Sequence, residues 1–179
     1  MSFRSAPAIA TLRPKSQEPL AAEPGRQGET ISLDINIPPE TIRVNVRERR
    51  QNVEQGVRLD EAEIVISGGR GLGGPDGFKI LEELADALGG AVGASRPACD
   101  LGWYPQAHQV GISGKTVAPD LYIAVGISGA GQHMAGCAGA KVLVAINKDP
   151  DASIFSYAHI GIASEYQEIL PEILELIRR

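Results

Sequence analysis

The fold is decided by the stretch Glu63-Ile64-Val65-Ile66-Ser67-Gly68-Gly69-Arg70-Gly71-Leu72-Gly73-Gly74-Pro75. Its first half is a short, continuous apolar run, which is typical of a strand buried on both faces of a parallel sheet. The glycines that follow predict a turn, and Pro75 suits the first position of a helix. Strand, glycine turn and helix in this order predict one repeating unit of an α/β fold.

The same order recurs towards the C-terminus. Apolar residues after Pro75 follow helical spacing from Phe78 to Leu88, and Gly89-Gly90 ends that helix. Further strands are predicted at 91–94, 121–125, 142–146 and 160–163, and further helices at about 130–136 and 166–177. Such alternation implies parallel strands with helices on both sides. The sequence therefore predicts a doubly wound, Rossmann-like α/β domain with a mainly parallel sheet.

Composition limits the classes of partner. The 179 residues suit one domain with an extension, and 17 basic against 22 acidic residues give a net charge of −5. An acidic surface of this kind does not favour nucleic acid, and no apolar run is long enough to insert into a membrane. Two cysteines without CxxC spacing favour a reducing compartment such as the cytoplasm.

Residues 1–60 differ from residues 61–179. The first part holds 6 of the 12 prolines but only 3 of the 21 glycines, which indicates linker chemistry. Within it, residues 31–37 and 41–47 alternate apolar and polar side chains and are predicted to be edge strands. The basic residues 1–17 suit a transit peptide in charge but lack its arginine-rich helical face. We therefore expect linker and edge strands in 1–60 and the cofactor-binding domain in 61–179.

A ligand site is expected where the predicted strands end, because ligands of such sheets bind beyond the carboxyl ends of the strands. The segments at those ends are Ser67–Gly74, Ser95-Arg96, Gly126–His133, Asn147–Pro150 and Ser164-Glu165. They combine glycines, hydroxyls and arginines, and glycines and helix starts suit phosphate groups. The pattern predicts a large, phosphate-bearing cofactor laid along one edge of the sheet.

The sequence leaves two alternative functions open and disfavours a phosphate-binding loop and a metal site. Gly69–Gly74 fits the GxGxxG pattern, and Arg96 suits the 2′-phosphate of NADP, so an NADP-binding module of a transhydrogenase or reductase is an alternative. An interaction domain without a cofactor is another. Gly114-Lys115-Thr116 lacks the earlier glycine of a phosphate-binding loop, since Gln109 stands there. The three histidines lack metal-ligand spacing, so no metal site is predicted. No GxSxG motif marks a nucleophile, and no catalytic residue is predicted.

Several blocks together carry a resemblance to one family. They are Val65–Leu72, Val92–Arg96, Val110–Pro119, Leu121–Ala130, Gln132-His133 and Ala145–Pro150. In this order they resemble the C-terminal FAD-binding domain of the electron transfer flavoprotein alpha subunit, over about residues 60–179. The N-terminal domain of that family, which packs against the beta subunit, has no counterpart in this sequence.

The resemblance implies a set of residues that bind FAD. They are Arg70, Ser95, Arg96, Val110, Gly111, Ile112, Ser113, Ser128, Gly129, Ala130, Gly131, Gln132, His133, Asn147, Glu165 and Tyr166. Arg70 and Arg96 would stabilise pyrophosphate or reduced flavin, and the Ser113 hydroxyl would lie near the flavin N5 atom. His133 would approach the flavin C2 carbonyl, where a donor favours negative charge on the ring.

Two positions depart from the family pattern. Ile112-Ser113 replaces the usual glutamine and threonine, so contacts at the flavin edge are expected to differ. Glu165-Tyr166 replaces Asp-Leu, which leaves the adenosine contacts least defined.

The implied function is electron transport without a substrate of the protein's own. FAD would take electrons from flavin dehydrogenases, such as acyl-CoA dehydrogenases, and pass them to a quinone reductase or another acceptor. The implied partner is the beta subunit. The implied location is the cytoplasm, or the mitochondrial matrix in a eukaryote.

Overall fold

The structure, a computed structural model, describes Thr11 and residues 20–48 and 57–179. The described residues fall into two compact units, one that contains residues 20–48 and a larger one that contains residues 57–179. The residues considered for a transit peptide lie, apart from Thr11, outside the described residues. None of the helices in the described residues is both long and apolar enough to cross a membrane.

The larger unit is built on a five-stranded sheet. Its strands are β1 Ile64–Gly68, β2 Ala91–Ala94, β3 Leu121–Val125, β4 Val142–Asn147 and β5 Ile160–Ala163. All neighbouring pairs are parallel, and the order across the sheet is β2-β1-β3-β4-β5. The chain therefore winds outward from β1 in one direction and from β3 in the other, which places a switch point between these two strands.

Within the described residues, four α-helices connect and flank the strands. They are α1 Gly77–Leu88, α2 Arg96–Asp100, α3 Gly131–Cys137 and α4 Tyr166–Ile177. The first begins two residues later than predicted, because Pro75 and Asp76 form the turn before it. It ends at Gly89, whose φ of 66° is the left-handed conformation that glycine adopts without strain. The short helix α2 was not predicted.

Two apolar clusters cover the two faces of the sheet. On one face, α1, α2 and α4 pack against strand side chains that include Ile66 and Val125. On the other face, α3 packs with Val65 and Tyr122. Because successive strand residues point to opposite faces, β1, β2, β3 and β4 each contribute to both clusters. The predicted doubly wound α/β fold is confirmed.

The prediction of edge strands at 31–37 and 41–47 is wrong. Neither segment forms a strand, and between them Pro39–Thr41 forms a single 3-10 turn. Their apolar side chains are exposed; they are Ile31, Leu33, Ile35, Ile37, Ile42, Val44 and Val46. An alternating pattern fits a strand, but a strand also requires a neighbour to accept its backbone hydrogen bonds. No described strand pairs with either segment.

Candidate functional site

A cleft of about 860 Å³ lies across the carboxyl ends of the strands. Residues that follow each of the five strands line it, including Arg70 after β1, Ser95 after β2 and Ser128 after β3. Five strands spaced about 4.8 Å apart span about 19 Å. The cleft is therefore long enough for an extended ligand that crosses the switch point.

Most of the predicted binding residues line this cleft. They are Arg70, Ser95, Arg96, Val110, Gly111, Ile112, Ser113, Ser128, Ala130, Gln132, His133, Asn147, Glu165 and Tyr166. Gly129 and Gly131 are absent from the lining. The topology thus brings together residues that are up to 96 positions apart along the chain, since Arg70 and Tyr166 face the same space.

The backbone N–H groups of the glycine-rich loop after β1 donate hydrogen bonds to carbonyl groups of the protein itself. The N–H groups of Gly69 and Gly71 donate to the carbonyls of Val125 and Gly126, each at 2.9 Å. A Cβ atom on either glycine would lie within 2.7 Å of the Gly126 backbone. These glycines are therefore explained by the close packing of two loops, whereas the side chain of Arg70 between them is exposed at the cleft.

The end of β2 brings two predicted residues into the cleft. The Oγ atom of Ser95 is buried and has no hydrogen-bond partner among the described residues. Arg96 begins α2, and its Nε atom lies 3.2 Å from Oδ2 of Asp100, one turn further along. The cation of Arg96 thus already has a carboxylate partner, while no described carboxylate lies within ion-pair distance of Arg70.

The segment Val110–Ser113 forms one wall. The Val110 N–H donates to Ala94 at 2.9 Å and the Ile112 N–H donates to Gln132 at 2.8 Å, so the segment joins β2 to α3. Ile112 is 58% exposed, although it is a large apolar residue. The Ser113 Oγ accepts a hydrogen bond from Nε2 of Gln109 at 2.9 Å, which leaves its own proton available for a ligand.

His133 lies in the first turn of α3 and is buried. Its Nε2 atom lies 2.9 Å from the hydroxyl oxygen of Tyr122, and its Nδ1 atom has no hydrogen-bond partner among the described residues. Burial lowers the pKa of this imidazole to about 4, so the ring is neutral at neutral pH.

The β4 and β5 ends carry residues that are already bonded within the protein. The Nδ2 atom of Asn147 donates to the Ile127 carbonyl at 2.9 Å, and its Oδ1 accepts from the Asp149 N–H at 3.0 Å. The Tyr166 hydroxyl donates to the Leu72 carbonyl at 3.0 Å. Asn147 and Tyr166 thus support the cleft wall and also line it.

The strand-end segments named from the sequence contain six further lining residues: Gly71, Gly126, Ile127, Lys148, Asp149 and Ser164. Six other lining residues were not predicted: Pro97, Gln109, Ile146, Asp151, Ala152 and Ser153. Pro97 follows the predicted Arg96 directly in the sequence. Ala152 and Ser153 carry no such signal, because a loop brings them in. The described residues contain no group of three or more His, Cys, Asp or Glu side chains arranged for a metal ion.

Comparison with known proteins finds similarity to one family. Residues 58–138 match the model of the family described as electron transfer flavoprotein FAD-binding domain. The electron transfer flavoprotein subunit alpha of Thermoanaerobacterium thermosaccharolyticum is 47% identical over 97% of this chain and 52% of its own length. That of Bacillus subtilis is 46% identical over 93% of this chain and 51% of its own length.

A eukaryotic relative is also similar. The electron transfer flavoprotein subunit alpha, mitochondrial, of Dictyostelium discoideum is 51% identical over 75% of this chain and 39% of its own length. The chain thus spans about half the length, or less, of these curated relatives.

A parallel sheet with a cleft across its carboxyl ends is typical of the open α/β proteins, which bind their ligands, extended nucleotide cofactors among them, at this edge. The buried hydroxyl and imidazole groups at the cleft fit a polar ligand there. The sequence matches point to one family: residues 58–138 match the electron transfer flavoprotein FAD-binding domain, and most of the chain is similar to electron transfer flavoprotein alpha subunits.

Proposed function

We propose that the cleft binds FAD and that the chain carries electrons as part of an electron transfer flavoprotein. The observation that carries this proposal is the cleft itself. It extends over all five strand ends, and the predicted FAD-binding residues line it, apart from Gly129 and Gly131. The family match supports FAD in particular over other nucleotides.

Unsatisfied polar groups support a polar ligand in this space. Ser95 Oγ and His133 Nδ1 are buried without partners among the described residues, and both residues line the cleft. A buried polar group without a partner costs about 1–3 kcal/mol. A cofactor rich in donors and acceptors would remove that cost, so the residues present fit FAD.

Each side chain then has a definable task. Bound FAD would supply the redox chemistry, and the protein supplies binding, orientation and electrostatics. The Arg70 cation is positioned to bind a phosphate or a reduced, negatively charged ring through charge-assisted hydrogen bonds. The Ser113 hydroxyl holds a proton that it can donate, because its oxygen is already fixed by Gln109.

The absorption spectrum of the purified chain tests this proposal. After incubation with FAD and desalting, we expect flavin bands to remain with the protein and the released cofactor to run as FAD on chromatography. Parallel samples with FMN and NADP should retain much less ligand, because a mononucleotide reaches fewer strand ends. Retention of NADP without flavin would favour a nicotinamide nucleotide module, and retention of no cofactor would favour an interaction domain.

No observation favours the NADP alternative. The amides of Gly69 and Gly71 are used by protein carbonyls, and α1 begins only at Gly77, after the glycine loop. Arg96, the candidate for the 2′-phosphate, is paired with Asp100. A dinucleotide fingerprint needs free amides and a helix start at the glycines.

The partners follow from the family. We propose that the chain pairs with an electron transfer flavoprotein beta subunit, takes electrons from flavin dehydrogenases and passes them to a quinone reductase or another acceptor, without a substrate of its own. Some relatives are named mitochondrial and others are bacterial, so we propose the cytoplasm, or the mitochondrial matrix in a eukaryote. Gel filtration of the chain mixed with a beta subunit should give a heterodimer, and separate elution would contradict the pairing.

A further inference from the structure

A buried tyrosine stands behind His133. Tyr122 is the second residue of β3, is fully buried, and belongs to the apolar cluster that packs against α3. Its hydroxyl oxygen lies 2.9 Å from Nε2 of His133. The two rings are tilted, with centroids 6.1 Å apart, so the contact is a hydrogen bond at the ring edges and not a stack.

The 2.9 Å distance does not say which group donates, because both a phenol and an imidazole can do either. The surroundings decide it. Among the printed hydrogen bonds of the described residues, Nε2 of His133 is the partner of the Tyr122 hydroxyl. The buried phenol is neutral, so its proton needs an acceptor. Nε2 can accept it only when the single proton of the neutral imidazole sits on Nδ1.

The tyrosine is suited to be the donor. Burial raises its pKa well above the ordinary value, so the phenol keeps its proton. The Ser67 hydroxyl on β1 and the Cys137 thiol on α3 also lie beside the phenol. Sulfur is only a weak acceptor, so the imidazole nitrogen at 2.9 Å is the better acceptor for the phenol proton. The Ser67 hydroxyl, which has no hydrogen bond of good geometry to another described residue, can donate to the phenol oxygen.

We propose that Tyr122 is a positioning residue for the cleft: its hydroxyl donates to Nε2 of His133 and so fixes the tautomer whose donor is Nδ1–H at the cleft wall. The assignment of FAD as the group that receives this donor rests on the proposed function. The tautomer itself does not, since every group that sets it belongs to the protein.

The tautomer can be read directly without a cofactor. Nitrogen-15 NMR of the histidine rings in the full chain reports which nitrogen carries the proton, and a His133→Gln variant assigns the signals. We expect the wild-type chain to hold His133 with the proton on Nδ1. In Tyr122→Phe, which removes only the hydroxyl, we expect the ratio of the two tautomers to shift about tenfold towards Nε2–H, or about 1.4 kcal/mol.

A matched control is the exposed Tyr157, and Tyr157→Phe should leave the His133 signals unchanged. A wild-type ring with the proton on Nε2 would overturn the inference, and this result does not depend on the folding of any variant. A Tyr122→Phe variant that folds and keeps the wild-type ratio would also overturn it.

The loaded protein gives a second readout. Tyr122→Phe is expected to bind FAD several-fold more weakly and to shift the midpoint potential of the bound flavin downward, because the donor beside the ring is no longer fixed. If the wild-type chain failed to bind FAD, the proposed function would fail, and the tautomer measurement would still decide the role of Tyr122. If FAD bound equally well to both proteins with unchanged potential, the positioning role would be refuted.

Discussion

Burial decides the charge of His133. The ring lies beneath the cleft with 7% of its surface exposed, and its pKa is lowered to about 4. The imidazole therefore acts as a neutral donor at physiological pH, and it reaches full positive charge only in strong acid. This feature makes the folded state sensitive to acid in a defined pH range.

We expect acid to destabilise the wild-type chain more than a His133→Gln variant. An unfolded histidine has a pKa of about 6.5, so between pH 6.5 and about 4 the unfolded chain binds a proton that the folded chain does not. The free energy of unfolding is therefore highest above pH 6.5 and decreases as the pH falls from 6.5 towards about 4. Urea unfolding at pH 7 and pH 5 should show an extra loss of about 2 kcal/mol in the wild type. Parallel losses in both proteins would contradict the assigned pKa.

Arg70 and Lys115 allow a basic residue that lines the cleft to be compared with one that does not. Arg70 lines the cleft, whereas Lys115 is not among its lining residues and lies 3.6 Å from Asp60. We expect Arg70→Ala to weaken FAD binding at least about tenfold, the effect of one lost bond to a charged group. Lys115→Ala should change it less than about twofold. Fluorescence titration measures both constants, and equal losses would refute the role of Arg70.

At the scale of elements, loop packing determines where glycine is needed. Gly129 has a φ of 89°, and a Cβ atom there would lie 2.3 Å from the backbone nitrogen of Ile154. Gly131, two residues later, opens α3 with nothing within 4 Å of its Cβ position. Both glycines were predicted to contact the cofactor, and neither lines the cleft.

Alanine at these two positions should have opposite effects. Gly129→Ala introduces a clash and a strained backbone, so we expect the free energy of unfolding to fall by at least about 2 kcal/mol. Gly131→Ala replaces glycine in a helix with open space around it, so we expect no loss and up to about 1 kcal/mol of gain. Chemical denaturation measures both. A neutral Gly129→Ala would show that the loop can move away from Ile154.

The strands and the long helices were predictable because their signals are local. The continuous apolar run of β3 and the helical spacing in α4 are visible in the sequence without a neighbour. The strand-end rule then placed Ser95 and Ser128 at the site. The use of the Gly69 and Gly71 amides and the contact of Tyr122 with His133 were not predictable, because each depends on a partner elsewhere in the chain. The strands at 31–37 and 41–47 failed for the same reason.

At the scale of the molecule, the domain boundary at residues 60 and 61 stays a prediction, and Leu59 bears directly on it. Leu59 lies on the linker side of that boundary, yet it is 1% exposed and packs in the cluster of Val65 and Tyr122. Asp60 also lies within 3.6 Å of Lys115. The folded unit therefore uses residues before 61.

We expect a fragment of residues 57–179 to be more stable than one of residues 61–179. Loss of a buried leucine costs about 2–5 kcal/mol, because a cavity remains. Denaturant unfolding of the two fragments should differ by at least about 2 kcal/mol. Leu59→Ala in the full chain serves as the control and should reproduce most of the difference. Equal stabilities would restore the boundary at residue 61.

The loops around the cleft are tied to one another by bonds that the protein makes alone. Gly69 donates to the last residue of β3, Gly71 donates to the residue after it, and Ile112 donates to α3. A cavity wall built in this way keeps its shape when it is empty, so loading requires little ordering of the chain. In thermodynamic terms, the contacts that a ligand makes with this wall contribute to its affinity, because little of their free energy is lost in ordering the loops.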